Sequence, residues 1–160
     1  MPPTEIDAML IVMAQDDTRL LPLARGAAAA HPAIYGAVYM AFQDRIPSLR
    51  HDEDLFIVAH GAKDGDDNNP VIGDAREGHY VNAPELYENL QGIFPRGYRG
   101  RVFVYACESA LAGGGSFSFA EALRNVLQAD HGGARVFGRR DHPGPRILTP
   151  DAPGWVEATI

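Results

Sequence analysis

Two runs of five apolar residues constrain this 160-residue chain more than any other feature: Leu-Phe-Ile-Val-Ala at 55–59 and Val-Phe-Val-Tyr-Ala at 102–106. Each is short for a helix, rich in β-branched and aromatic residues, and apolar at odd and even positions alike. A strand of that kind is covered on both faces, as it is in the middle of a parallel sheet. Both runs stop at residues with chemistry, His60-Gly61 after the first and Cys107-Glu108-Ser109 after the second.

The rest of the chain fits around these two strands. Residues 6–14 read as another buried strand. Asp16, Asp17 and Thr18 then offer caps for a helix carrying Leu20, Leu21, Leu23, Ala24 and the alanines at 27–30, which ends before Pro32. Residues 33–42 mix aromatic and β-branched positions and read as a second strand. The polar stretch 62–69 predicts an exposed loop. Asn82 with Glu85, and Ser118 with Glu121, have capping-box spacing ahead of helices whose apolar positions are Leu86, Leu90, Ile93 and Phe94 in one case and Phe119, Leu123, Val126 and Leu127 in the other. Residues 134–138 give a further strand, after which Pro143, Pro145, Pro150 and Pro153 interrupt any regular pattern before Trp155. This alternation predicts one α/β domain over residues 1–160, a mostly parallel sheet flanked by helices on both faces.

The apolar share of 46% can support a core, and no apolar run reaches the roughly 18 to 20 residues needed to cross a bilayer, so a soluble chain with no membrane partner is expected. The net charge of -7 disfavours nucleic acid, whose affinity comes from clustered Lys and Arg. A single cysteine cannot form an intramolecular disulfide, and the N-terminus lacks the basic segment and apolar core of a secretory signal. Those features predict a cytoplasmic protein, with signal-free export as an effector the alternative. The oligomeric state is not encoded in any pattern of this kind.

In an open parallel sheet, catalytic groups gather beyond the carboxyl ends of the strands, where His60 and Cys107 both fall. A thiol attacks a carbonyl as thiolate and needs an imidazole to take its proton. The segments LFIVAHG at 55–61 and VFVYACES at 102–109 resemble the His-Gly and Ala-Cys motifs of caspase-like (clan CD) cysteine peptidases, a group that includes caspases, metacaspases, CHAT peptidases and the self-cleaving protease domains of bacterial toxins. The interval between His60 and Cys107 is close to the roughly 50 residues of the caspase signature.

The resemblance implies a caspase-haemoglobinase-like three-layer sandwich and a cysteine endopeptidase, self-processing or of effector type, that takes a peptide or protein substrate. His60 and Cys107 would be the catalytic dyad, and the N–H groups of Gly61 and Cys107 the oxyanion hole. Substrate contacts would come from Glu108, Ser109, Gly138, Arg139, Arg140 and Asp141. The segment around Cys107 departs from the caspase form, so a preference for Asp substrates is not inherited. A reading of another class keeps the same fold as a catalytically silent adaptor.

No cofactor is expected. Asp64, Asp66 and Asn68 have the opening spacing of a calcium loop, but Asn69 and Ala75 stand where an EF-hand needs Gly and Glu, which leaves a looser calcium site on residues 64–69 as an alternative to a solvated turn. One cysteine and no close histidine pair leave too few ligands to favour a zinc centre. The glycines at 113–115 lack the Lys-Ser/Thr of a phosphate loop and read as a loop beside the nucleophile.

Overall fold

The computed structural model describes residues 8–12, 20–41, 44–64, 70–74, 79–106, 109–110, 117–141 and 147–159. Nine strands and three helices occur among them. They are β1 (Ala8–Val12), α1 (Leu20–Ala30), β2 (Tyr35–Met40), β3 (Leu55–Val58), β4 (His60–Asp64), β5 (Pro70–Asp74), β6 (His79–Asn82), α2 (Ala83–Leu90), β7 (Arg101–Tyr105), α3 (Phe119–Asp130), β8 (Arg135–Arg139) and β9 (Trp155–Glu157).

The main sheet has the order β2-β1-β3-β7-β8-β9. Its first five strands run parallel, and β9 closes the far edge antiparallel to β8. Both apolar runs lie side by side at its centre: Leu55 pairs with Val102 and Val58 with Tyr105.

Side chains in these runs alternate between two cores, as the period-2 geometry of a strand requires. Leu55, Ile57, Val102 and Val104 pack against Leu86 and Leu90 of α2 and Phe119, Leu123 and Leu127 of α3. Phe56, Val58, Phe103 and Tyr105 face the other way, toward Leu20 and Ala24 of α1. Helices therefore cover opposite faces of a mixed, mostly parallel sheet, the architecture expected from the alternation of elements. On the α1 face, Phe103 stacks between Phe56 and Phe137 with ring centroids 4.7 and 5.0 Å away, and Trp155 meets it edge-on at 5.0 Å.

Local chemistry sets the helix starts. Asn82 and Ser118 accept from the amides of Glu85 and Glu121, whose carboxylates accept in return from the two cap amides. Leu90 is followed by a 3-10 turn at Gln91–Ile93, so the helix read through Phe94 is shorter than its apolar spacing suggested.

Two segments depart from the sequence-based expectation. Residues 62–64, expected in a loop, continue β4, which pairs with β5 in a second, antiparallel sheet of order β4-β5-β6. These strands are polar and short, and their few anchors, Ile72 and Val81, join the α2 and α3 core. The second departure is β9, a three-residue strand after the proline-rich segment, held to β8 by the register Phe137↔Glu157 to Arg139↔Trp155.

Candidate active site

β3 and β7 are adjacent and parallel, so their carboxyl ends share one edge of the sheet. The Ala59 amide donates to the Tyr105 carbonyl at 3.2 Å, which carries the ladder one residue beyond β3. His60 follows directly. It is half-buried and opens β4, where the chain leaves the main sheet for the second one. Cys107 and Glu108 follow β7 in sequence and lie outside the described residues.

The first residues of β4 are irregular. His60 pairs with Gly73 and Lys63 with Val71, so Gly61 and Ala62 together stand opposite Ile72. Two residues facing one is the count of a β-bulge, which takes one of them off the ladder and turns the strand. Bulges of this kind recur beside active sites, and this one falls on the glycine expected to supply an oxyanion donor.

Beyond Phe103↔Phe137 the β7 and β8 ladder stops. In its place stands the Ser109 side chain, whose hydroxyl donates to the Val104 carbonyl at 2.9 Å and accepts from the Arg139 amide at 2.9 Å. The main chain of this segment is fixed as well. The Ser109 amide donates to the Ala106 carbonyl, the Ala110 amide donates to the Arg139 carbonyl at 2.7 Å, and the Ala120 amide at the start of α3 donates to the Ser109 carbonyl. Ser109 thus wedges between two strands as they part.

A wedge needs room, and Gly138 supplies it: a Cβ there would lie 2.9 Å from the Ser109 Oγ and 3.0 Å from the Ala120 Cβ. Ser109 and Gly138 were both expected to contact substrate. Ser109 has no exposed surface and Gly138 is buried, so each serves the packing of this strand end.

Arg139 is also buried, at 4% exposure. Its Nε and Nη2 donate to the two carboxylate oxygens of Asp141 at 2.9 and 2.8 Å, and its Nη1 donates to the Pro153 carbonyl at 3.0 Å. The guanidinium lies 5.1 Å from the Trp155 ring centroid. Gly154 has φ +95°, and a Cβ there would come within 2.5 Å of the guanidinium, so glycine answers both the backbone and the space. The sequence signal for this clamp is Gly154-Trp155 after Pro153, a turn followed by an aromatic able to seat a cation. Asp141 keeps an exposed side chain, and Arg140 is exposed.

Two surface grooves of about 410 and 400 Å³ lie elsewhere, one beside Pro22, Gly26 and Ile147, the other between α2 and α3 beside Pro84, Phe117 and Val126. His60 lines neither. Among the described residues no cluster of three or more His, Cys, Asp or Glu side chains is arranged to hold a metal, and no helix is long and apolar enough to cross a membrane. Residues 65–69 of the calcium alternative, and the glycines at 113–115, lie outside the described residues. Compared with models of protein families, with curated proteins and with solved structures, the chain matches none of them.

Proposed function

We propose that this chain is a cysteine endopeptidase of caspase-like type, acting through His60 and Cys107. The observation that carries the reading is the pairing of β3 with β7 in parallel register, Leu55 with Val102 through Val58 with Tyr105. His60 comes two residues after Val58, and Cys107 comes two residues after Tyr105. Two strands at sheet spacing of roughly 5 Å, each followed at the same step by one half of a thiol–imidazole pair, form a frame on which the pair can meet across a substrate. Helices on both sheet faces and the bulge at Gly61 and Ala62 are further support for a sandwich of this type.

In the reaction, His60 takes the proton of the Cys107 thiol as sulfur attacks the substrate carbonyl carbon, and the carbonyl electron pair moves to oxygen. The Gly61 and Cys107 N–H groups would stabilise that oxyanion. Collapse expels the amine, which leaves with the proton from His60 and gives a thioester on Cys107. Water, deprotonated by His60, then attacks the thioester carbonyl, and the acid product departs as the thiol regains its proton.

Labelling with a thiol-directed peptide electrophile tests this directly. Selective modification of Cys107 near neutral pH is expected, slowed at least tenfold in His60→Ala, with peptide hydrolysis abolished in Cys107→Ala. A Cys107 no more reactive than a free thiol, unaltered by His60→Ala, would instead leave the domain as a binding module.

A further inference from the structure

We infer that Arg139 is a positioning residue for the reaction at this sheet edge and does not read substrate charge, an inference that rests on the peptidase reading above. A cation that selects an acidic substrate residue must have donors to offer it. Three of the five N–H donors of Arg139 are directed at Asp141 and the Pro153 carbonyl, its face is against Trp155, and only 4% of the residue is exposed, so little of the guanidinium can reach a substrate. The bidentate carboxylate also cancels its charge, so a second carboxylate would have to displace a formed pair.

The main chain of the same residue does different work. Its N–H and C=O hold Ser109 and Ala110, two and three residues beyond Cys107 in sequence. Arg139 is therefore one rigid joint with two sides. Its side chain is clamped to the 153–155 turn of the terminal strand, and its backbone is clamped to the segment that follows the nucleophile. Freeing the side chain lets the end of β8 move, and the chain after Cys107 moves with it. Small displacements matter at a nucleophile, where a shift of about 1 Å can lower the rate roughly 100-fold.

The test compares Arg139→Met, Arg139→Lys and wild type on matched peptides ending in Asp, Leu or Arg, well below each variant's unfolding midpoint. Arg139→Met is expected to lower kcat roughly 10- to 100-fold for all three peptides. KM should change less than about twofold, with partial rescue in Arg139→Lys, because displaced chemistry costs turnover and leaves peptide binding in place. Should Arg139→Met fail to fold, Asp141→Asn removes the exposed half of the clamp and should give a smaller loss of kcat with the same unchanged KM. An unchanged kcat in a folded variant, even with a lower melting point, overturns the inference. So does a KM rise confined to the Asp peptide, because that is the signature of charge recognition. If wild type cleaves no peptide and its Cys107 reacts like a free thiol, the peptidase reading falls and takes the inference with it.

Discussion

Ser109 and Tyr35 show how differently two buried hydroxyls can act. The Ser109 hydroxyl closes a gap between strands that have no ladder bond of their own at that level, so Ser109→Ala leaves the Val104 carbonyl and the Arg139 amide without it. An unsatisfied buried group costs about 1 to 3 kcal/mol, and a urea titration of the variant should show a loss of that order. Gly138→Ala attacks the same joint by crowding and should cost a similar amount, about 1 to 3 kcal/mol, since the Ser109 and Ala120 atoms it meets belong to packed elements. Tyr35 is the opposite case. It is 2% exposed, and its hydroxyl has no hydrogen-bond partner among the described residues. Burial, more than the nearby Tyr105 and Asp151, raises its pKa well above the ordinary tyrosine range. Tyr35→Phe should therefore raise stability by about 1 kcal/mol, and a lower urea midpoint would refute that account.

At the scale of elements, legibility followed burial. β3 and β7 could be read because both their faces are covered, and α2 and α3 because a capping box marks each start. The strands β4, β5 and β6 could not, since three short strands anchored in the core by Ile72 and Val81 leave no period-2 signature in composition. The strand β9 was hidden for a different reason: its hold on β8 comes from long-range pairs rather than from its own three residues. Arg135 donates through Nε and Nη2 to the two Glu157 carboxylate oxygens, both at 2.8 Å. Its hydrogen bonds hold the Glu157 carboxyl below the usual range, against a smaller opposing effect of burial. A depressed carboxyl pKa contributes stability above its unfolded value, and that contribution is lost as pH falls through the folded value. Both side chains are partly exposed, so the pair is worth no more than about 1 kcal/mol. Glu157→Gln should flatten the acid limb of a stability-versus-pH curve below about pH 5 and change little at pH 7 beyond that amount.

For the molecule as a whole, the sheet order could be anticipated only in part, because strand alternation announces a parallel sheet without stating which strands adjoin. The candidate site was legible to the same degree: the two strand ends were, whereas the wedge at Ser109 needs the Arg139 amide 30 residues away in sequence, and the clamp at Arg139 needs the Pro153 carbonyl 14 residues away. The aromatic row on the α1 face ties that architecture together. Phe103, 1% exposed and flanked by Phe56, Phe137 and Trp155, should be its most sensitive member, with Phe103→Ala costing about 3 to 5 kcal/mol by thermal or urea unfolding. Trp155 is the single tryptophan of the chain and belongs to its last strand, seated between the Arg139 guanidinium and the Phe103 edge. Its indole emission is thus a built-in optical gauge of one edge of the sheet, able to register the terminal strand peeling away while the far-ultraviolet dichroism of the helices still reads as native.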